Sequence, residues 1–186
     1  MRSYKYMEGY TLVELLVGLT IFLCLFSALF PSLSAVNNRR AVSLKVWEIK
    51  RSLEYARSLA VTQNNLITVC VATEDYRCTK QNGSRLLVFD DQTVDYQWIL
   101  GEPLYRDINL LNAQVLLSAS GRSYVRFDGS GASRGSGNFL VCIPGATDFG
   151  RQVIFFYSGR IRLSNDSNRD GYDDKSGSAI ICPKQL

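Results

Sequence analysis

Hydrophobic and polar residues follow three successive patterns along the chain. Residues 15–30, LLVGLTIFLCLFSALF, carry no charge, and with residues 10–13 this apolar stretch reaches about the 20 residues that a membrane-spanning helix needs. Beyond Asn65 the pattern becomes strand-like. Between the two, apolar residues recur at alternating steps of four and three, which places them on one helix face: Val42, Val46, Ile49, Leu53, Ala56 and Ala60.

The first two patterns predict one long helix over residues 10–62, on the order of 80 Å at 1.5 Å per residue. Asn64 and Asn65 would end it, and Pro31 predicts a kink or local unwinding because proline removes a backbone hydrogen bond. The alternative is that Pro31 starts a separate helix after a cleaved or simple membrane anchor. A secretory signal peptide fits less well, since its apolar core is shorter than this one.

The third pattern predicts an antiparallel β domain, because its short apolar runs are separated by Gly, Ser, Asn and Asp. The expected fold class is therefore α+β, a long, partly transmembrane amino-terminal α-helix packed on a carboxyl-terminal antiparallel sheet. Tyr96, Trp98 and Tyr105 fall outside the predicted strands; core packing is the default for them, with a subunit contact as the alternative. The strands are predicted at residues 66–71, 85–89, 114–118, 124–127, 139–143, 152–157, 160–164 and 179–182.

The composition of the chain excludes several kinds of functional site but does not identify a function. The 186 residues are 46% hydrophobic and 20% charged, which fits one globular domain with an appendage. A net charge of +4 is too mild to identify a nucleic-acid binder. Histidine is absent, which excludes His-based triads and His-anchored metal centres, and no other acid/base constellation emerges. We therefore expect no catalysis.

One of the five cysteines lies in the apolar run, and the other four lie in the predicted β domain. Cys24 lies inside the apolar run and is expected to act as a small hydrophobic residue. The other four lie in the β domain, where they allow two disulfides in an oxidising compartment. A zinc site is the rival interpretation, although no CxxC motif occurs. The four are Cys70, Cys78, Cys142 and Cys182.

Glu14 is the one carboxylate in the apolar stretch, within the sequence GYTLVELL at residues 9–16. An isolated carboxylate in lipid costs about 2.5 kcal/mol or more unless it finds a partner. It could simply lie at the membrane edge, or it could pair with a group on another molecule.

This stretch resembles a type IV prepilin signal: a short basic leader ending in Gly, then an aromatic residue, Thr, two aliphatic residues and Glu. Tyr10 stands where Phe is usual. The resemblance implies that prepilin peptidase cuts between Gly9 and Tyr10 on the cytoplasmic side and methylates the new amino terminus. It also implies that Glu14 meets the amino terminus of a neighbouring subunit, and that Pro31 is the helix-breaking proline of many pilins.

Three further segments resemble the GspH/FimT family of minor pilins and pseudopilins. They are TVCVATEDYRC, YVRFDGSGASRGSGNFLVC and FGRQVIFFYSGRIRLS. With the leader in the cytoplasm, the β domain lies in the oxidising periplasm, which favours disulfides. Among the three connectivities we choose Cys70 with Cys78 and Cys142 with Cys182.

The expected organisation follows from the resemblance. Residues 1–9 form a leader, 10–35 the transmembrane and assembly half of the helix, 36–64 its amphipathic half, and 65–186 the periplasmic domain. The protein would be a single-pass protein of the bacterial inner membrane that later enters the pilus fibre or its tip.

The function implied is that of a minor pilin in a type IV pilus, a non-catalytic subunit of the priming or tip complex. Its partners would be other minor pilins, the major pilin and prepilin peptidase. The alternatives are a DNA-binding minor pilin for DNA uptake and a minor pseudopilin of type II secretion.

Two local motifs suggest ligands. Arg160 and Arg162 lie two apart in a predicted strand, so they share a face and could grip phosphates of DNA; a solvated strand face or a carboxylate partner is the plainer explanation. The other motif resembles the opening of a calcium loop, although Gly177 replaces the glutamate at its twelfth position and a plain polar loop is the alternative. No other cofactor is expected. The calcium ligands would be Asp166, Asn168, Asp170 and Asp174.

Overall fold

One helix, α1 (Leu12–Gln63), forms the first part of the chain in the computed structural model. The structure describes residues 10–81, 83–110, 113–144, 146–175 and 177–183, with the backbone alone for residues 28–35 and 146–148. The helix ends where predicted, because Asn64 adopts the left-handed conformation (φ 53°) that commonly terminates helices. The backbone is helical through Pro31. The side chain of Pro31 lies outside the described residues.

Two compact units make up the chain, with the boundary between Asn37 and Asn38. The second unit includes the amphipathic part of α1, whose apolar stripe is completely buried. This confirms the stripe that the sequence predicts. Its members have no exposed surface: Val42, Val46, Ile49, Leu53, Ala56 and Ala60.

Antiparallel pairing joins all the described strands. The first sheet has the order β2-β1-β3-β4, and β6 also pairs with β1, at residues 67–70. The second sheet has the order β5-β7-β8-β9, and β10 and β11 form a small hairpin. The strands are β1 (Ile67–Ala72), β2 (Cys78–Thr79), β3 (Arg85–Asp90), β4 (Leu104–Asn109), β5 (Gln114–Ser118), β6 (Tyr124–Phe127), β7 (Gly137–Ile143), β8 (Ala146–Phe155), β9 (Ile161–Leu163), β10 (Asp174–Lys175) and β11 (Ser178–Ala179).

The predicted α+β fold is therefore confirmed, with corrections to single strands. Of the strand predicted at residues 179–182, only Ala179 is paired, as part of β11. Cys182 is held by a disulfide instead. β8 begins at Ala146, ahead of its predicted start. Three short or polar strands, β2, β4 and β10, were not predicted at all.

The main core lies between the buried face of α1 and the inner faces of both larger sheets. Alternate residues of each strand contribute, such as Val69 in β1, Phe139 in β7 and Phe155 in β8. The core residues come from position 42 onward, and both disulfides lie in the same unit. The fragment 38–186 therefore carries a complete core of its own.

A second, smaller core covers the outer face of the first sheet. Cys70 and Phe89 point to this side, and Trp98 packs on them from the segment between β3 and β4. Tyr96 stacks on Tyr124 with ring centroids 4.2 Å apart. Tyr105 packs against the main core instead. Core packing, the default expectation, is confirmed for Trp98 and Tyr105, whereas the only ring contact of Tyr96 with another aromatic residue in the described chain is its stack on Tyr124.

Candidate functional site

The amino terminus of α1 presents the carboxylate that the sequence singles out. Thr11 precedes the helix, and its Oγ1 accepts a hydrogen bond from the Glu14 amide at 3.3 Å. The Thr11 carbonyl accepts a second bond, from the Leu15 amide at 3.2 Å. Thr11 is thus the N-cap and Glu14 is the third helical residue, the two positions of a capping box. The helix starts at Leu12, two residues later than predicted, because Thr11 acts as its cap.

The Glu14 carboxylate is exposed and lies in the first helical turn. The partial positive charge of a helix amino terminus favours an anion there. Within the described residues no ion pair involves Glu14. The side chain is therefore positioned by its own helix and open to a group from another molecule.

The surface of α1 around this carboxylate is apolar. Tyr10, the residue that processing would make the new amino terminus, is 85% exposed. Gly9 and the rest of the leader lie outside the described residues. No helix in the part of the chain described here is long and apolar enough to cross a membrane. The exposed apolar side chains of this segment include Leu12, Val13, Leu15, Leu16, Val17, Leu19, Ile21, Phe22, Leu23, Leu25 and Phe26.

Both disulfides of the β domain have the connectivity that we chose from the resemblance. Cys70 pairs with Cys78 across a separation of 8 residues, and Cys142 pairs with Cys182 across 40. The first closes the loop that covers the outer face of β1. The second ties the last described segment of the chain to β7.

Arg162 lies in β9, the edge strand of the second sheet, and Arg160 directly precedes that strand; both residues are exposed. Arg162 is opposite Ile154 of β8, and its guanidinium lies 5.7 Å from the centre of the Phe156 ring. Both guanidinium groups are open to solvent. The strand predicted at residues 160–164 spans only Ile161–Leu163, so a shared face for the two arginines stays a prediction, as does DNA binding.

In the candidate calcium loop, side-chain oxygens accept hydrogen bonds from backbone amides of the same loop. Asp166 accepts hydrogen bonds from the amides of Arg169 (2.6 Å) and Gly171 (2.9 Å). Asp170 accepts one from the Tyr172 amide at 2.8 Å. Such side-chain to backbone bonds are typical of polar turns.

The remaining two predicted calcium ligands are bonded in the same way. Asn168 Oδ1 accepts from the Asp170 amide at 3.0 Å, and Asp174 Oδ2 accepts from the Ser167 amide at 2.8 Å. Across the described ranges, no group of three or more acidic, Cys or His side chains is placed to hold a metal ion. The geometry therefore favours the polar-loop alternative.

A partly buried ion pair that the sequence analysis missed connects this loop to the rest of the domain. Arg151 Nε lies 2.9 Å from Asp173 Oδ2, and the same oxygen accepts a hydrogen bond from the Ser164 hydroxyl at 2.5 Å. Arg151 also donates to Ser43 Oγ of α1 at 3.2 Å. No sequence signal links these residues, since they come from four separate segments.

The N-cap at Thr11 is the other feature that the sequence analysis missed, and here a signal exists. The sequence Thr11-Leu12-Val13-Glu14 matches the pattern of Ser or Thr followed three residues later by an acid or amide. The same four residues belong to the prepilin motif. One short sequence therefore serves both the helix start and the candidate assembly site.

Comparison with protein families gives two matches. The model of Type II transport protein GspH matches residues 46–159. The prokaryotic N-terminal methylation motif matches residues 5–30, which include the candidate cleavage position and Glu14. Comparison with functionally curated proteins gives no significant match.

Solved structures with a similar fold are pilin-like. The type IV minor pilin FimU of Pseudomonas aeruginosa, in space group P21, has a TM-score of 0.52 at 23% identity, over 68% of this chain and 90% of that one. In space group P65 the score is 0.49 at 24% identity, over 64% and 90%. The minor pseudopilin EpsH of the Vibrio cholerae type II secretion system scores 0.48 at 12% identity, over 67% and 94%.

Proposed function

The chain belongs to the GspH family of minor pilins and pseudopilins, and from this membership we propose that it is a non-catalytic minor pilin of a type IV pilus. The observation that carries the proposal is the succession of two matched regions in one chain. The methylation motif at residues 5–30 precedes the GspH region at residues 46–159. A motif for assembly and a domain for subunit contacts are the two parts that a fibre subunit needs.

We propose further that prepilin peptidase cleaves after Gly9 and that Tyr10 becomes the methylated amino terminus. Glu14 then pairs with the terminal ammonium of a neighbouring subunit. Its exposure and its position in the first helical turn support this role. An ammonium partner would also offset the cost of placing a carboxylate in lipid or in a helix bundle.

In the proposed arrangement, the apolar helix anchors the protein in the inner membrane with one span, and the β domain lies in the periplasm. The exposed apolar residues of the segment 10–26 support the anchor. The two disulfides support an oxidising compartment for the domain. On assembly the helix leaves the lipid and packs against helices of other pilins, and close packing guides this step because lipid is as apolar as the helix surface.

A gene deletion tests the proposal directly. Loss of the protein should abolish or strongly reduce surface pili, counted by electron microscopy, while extracellular enzymes continue to be secreted. Expression of the full chain should restore the pili. A deletion strain that keeps normal pili but retains its secreted enzymes inside the cell would contradict the proposal and identify a secretion pseudopilin.

The exposed arginine pair supports DNA binding as a second candidate function. We expect Arg160→Gln/Arg162→Gln in the fragment 38–186 to remove salt-sensitive binding of duplex DNA, measured by fluorescence anisotropy. Arg77→Gln/Lys80→Gln is the matched control, since it removes two other exposed cations and gives the same net charge. Equal loss in both variants, or no binding by the unmodified fragment, would refute this function.

A further inference from the structure

The strand β4 forms an edge of the first sheet, with β3 as its one strand neighbour among the described residues. The Leu110 amide donates to the Ser84 carbonyl at 2.7 Å, on the β3 side. The Asn109 carbonyl instead accepts from Lys45 Nζ of α1 at 2.8 Å. Because backbone groups alternate in direction along an antiparallel strand, those of Asp107 also face away from β3. The β4 edge therefore offers main-chain groups to a further strand.

The β4 edge lacks the protection that an exposed strand usually has. Proteins block such edges with proline or with charged side chains that cover them. β4 has no proline, and its two charged side chains are held on the faces of the sheet. Arg106 donates to Ser52 Oγ of α1 at 3.4 Å on one face, and Asp107 accepts from Arg85 Nε at 2.8 Å on the other. In the part of the chain that the structure describes, the backbone edge between these faces is open.

A groove lies between Arg106 of β4 and the exposed side of α1. Its volume is about 660 Å³, which is in the usual range of binding sites. Leu44 and Trp47 form its apolar wall and are 71% and 46% exposed. Tryptophan and arginine are the side chains that most often dominate the energy of a protein interface. The groove therefore has the composition of a docking surface.

The groove is cationic, because neither of its arginines has an acidic partner within the described ranges. These are Arg51 of α1, which is exposed, and Arg106 of β4. The acids around the groove are already in ion pairs: Glu48 with Lys45, Glu54 with Lys50 and Asp107 with Arg85. An occupant that brings negative charge is therefore favoured.

We propose that an extended acidic segment of a different pilin subunit adds to the β4 edge as a further strand. One of its carboxylates faces Arg51 and Arg106, and an apolar side chain two positions away packs on Trp47, since residues two apart in a strand share a face. Main-chain hydrogen bonds supply affinity and the groove supplies specificity.

The identity of the partner as a pilin rests on the proposed function, because a minor subunit in a fibre is surrounded by other subunits. The surface itself does not depend on that function. The β4 edge and the groove lie wholly in the unit formed by residues 38–186. The surface and the partner are therefore tested separately.

A short peptide tests the surface in solution. The probe is Thr-Leu-Thr-Asp-Thr-Leu-Thr, blocked at both ends and added at millimolar concentration to the isotope-labelled fragment 38–186. We expect saturable NMR shifts of the Asp107 amide and the Trp47 indole N–H. A peptide with Lys in place of Asp should bind about tenfold more weakly. The original peptide with methylated backbone nitrogens keeps its side chains but cannot pair as a strand, so it should cause no saturable shift.

A charge reversal in the fragment completes this test. Arg51→Glu should weaken the acidic peptide about tenfold and strengthen the Lys peptide. Lys175→Glu makes the same change in net charge in the β10–β11 hairpin and should leave both affinities unchanged. Absence of binding by the acidic peptide, equal binding of the methylated peptide, or an equal loss with Lys175→Glu would overturn the proposal.

Photo-crosslinking of the full chain in its own cells identifies the partner. Trp47 is replaced by the photoreactive residue p-benzoylphenylalanine, and the crosslinked peptide is sequenced by mass spectrometry. We expect a peptide from a different protein with a prepilin-type motif, in which an acid lies two residues from an apolar residue. Arg51→Glu should lower the yield about tenfold. The same photoreactive residue in place of Tyr157, which is 68% exposed, should not capture this peptide.

Capture of a second copy of this chain, or equal capture from Tyr157, would overturn the proposed contact. An acidic partner without a prepilin-type motif would overturn its assignment to a pilin, while the peptide result would still support strand addition. Failure of the proposed function is measured independently, by the pili of the deletion strain.

Discussion

The Glu14 amide donates a hydrogen bond to Thr11 Oγ1 at 3.3 Å, and this bond defines the first turn of α1. Thr11 therefore sets where the helix begins and holds the Glu14 carboxylate at the helix amino terminus. Thr11 and Glu14 belong to the prepilin motif, and they also form the first turn of the helix. This relationship can be tested separately from assembly.

Replacement of Thr11 by Ala should loosen the start of α1. Loss of an N-cap costs about 1 kcal/mol, so the Glu14 and Leu15 amides should exchange with solvent about fivefold faster in detergent-solubilised protein. Thr11→Ser keeps the hydroxyl and is the matched control. Hydrogen exchange followed by mass spectrometry is the measurement, and equal rates in both variants would contradict the cap.

Removal of the two disulfides should destabilise the domain to different extents. In a chain-entropy model, the bond across 40 residues contributes about 4 kcal/mol and the bond across 8 residues about 2.5 kcal/mol. We therefore expect Cys142→Ala/Cys182→Ala to lower the urea midpoint of the fragment 38–186 more than Cys70→Ala/Cys78→Ala does. The reverse order would show that the small outer core depends on its disulfide more than loop length implies.

The ion pair between β3 and β4 should give the domain a pH-dependent stability. Arg85 Nε donates to Asp107 Oδ1 at 2.8 Å, and this bond holds the pKa of Asp107 below its usual value. Tyr76, whose hydroxyl donates to the other oxygen at 3.0 Å, lowers that pKa further. A lowered carboxyl pKa stabilises the fold above the unfolded value of about 3.9 and loses this effect as the pH falls through the folded value.

We therefore expect Asp107→Asn to reduce the melting temperature of the fragment 38–186 at pH 7. The difference between variant and wild type should shrink steadily below about pH 4, where the wild-type carboxyl becomes protonated. Asp95→Asn, at an exposed site, is the matched control. A difference that stays constant from pH 7 to pH 2 would contradict the role of the Arg85–Asp107 pair.

The parts of the fold that could be predicted are those in which local pattern and tertiary packing agree. Val46 and Leu53 lie at helical spacing and are buried, and β5 and β6 have their predicted bounds. β4 was missed because LYRDIN is polar and only partly buried. Its place in the sheet comes from pairing with β3, which no local pattern encodes.

The same distinction holds for the candidate sites. The sequence places Arg160 and Arg162 at strand spacing, but β9 begins at Ile161, so only Arg162 is paired in the sheet. Arg151 and Asp173 meet through the fold, and only the structure shows their contact. The same is true of Arg106 in β4 and Ser52 in α1, where the guanidinium donates to the hydroxyl at 3.4 Å.

Incorporation of Glu14 variants into pili tests the central claim most directly. Glu14→Gln keeps the size of the side chain and removes its charge, whereas Val17→Ala changes a nearby exposed apolar residue and is the control. Sheared pili and membranes are compared by immunoblotting. We predict that Glu14→Gln protein is cleaved and retained in the membrane but absent from the pilus fraction, while Val17→Ala protein is present in it. Wild-type amounts of Glu14→Gln in the pili would contradict the proposed pairing of Glu14 with a neighbouring amino terminus.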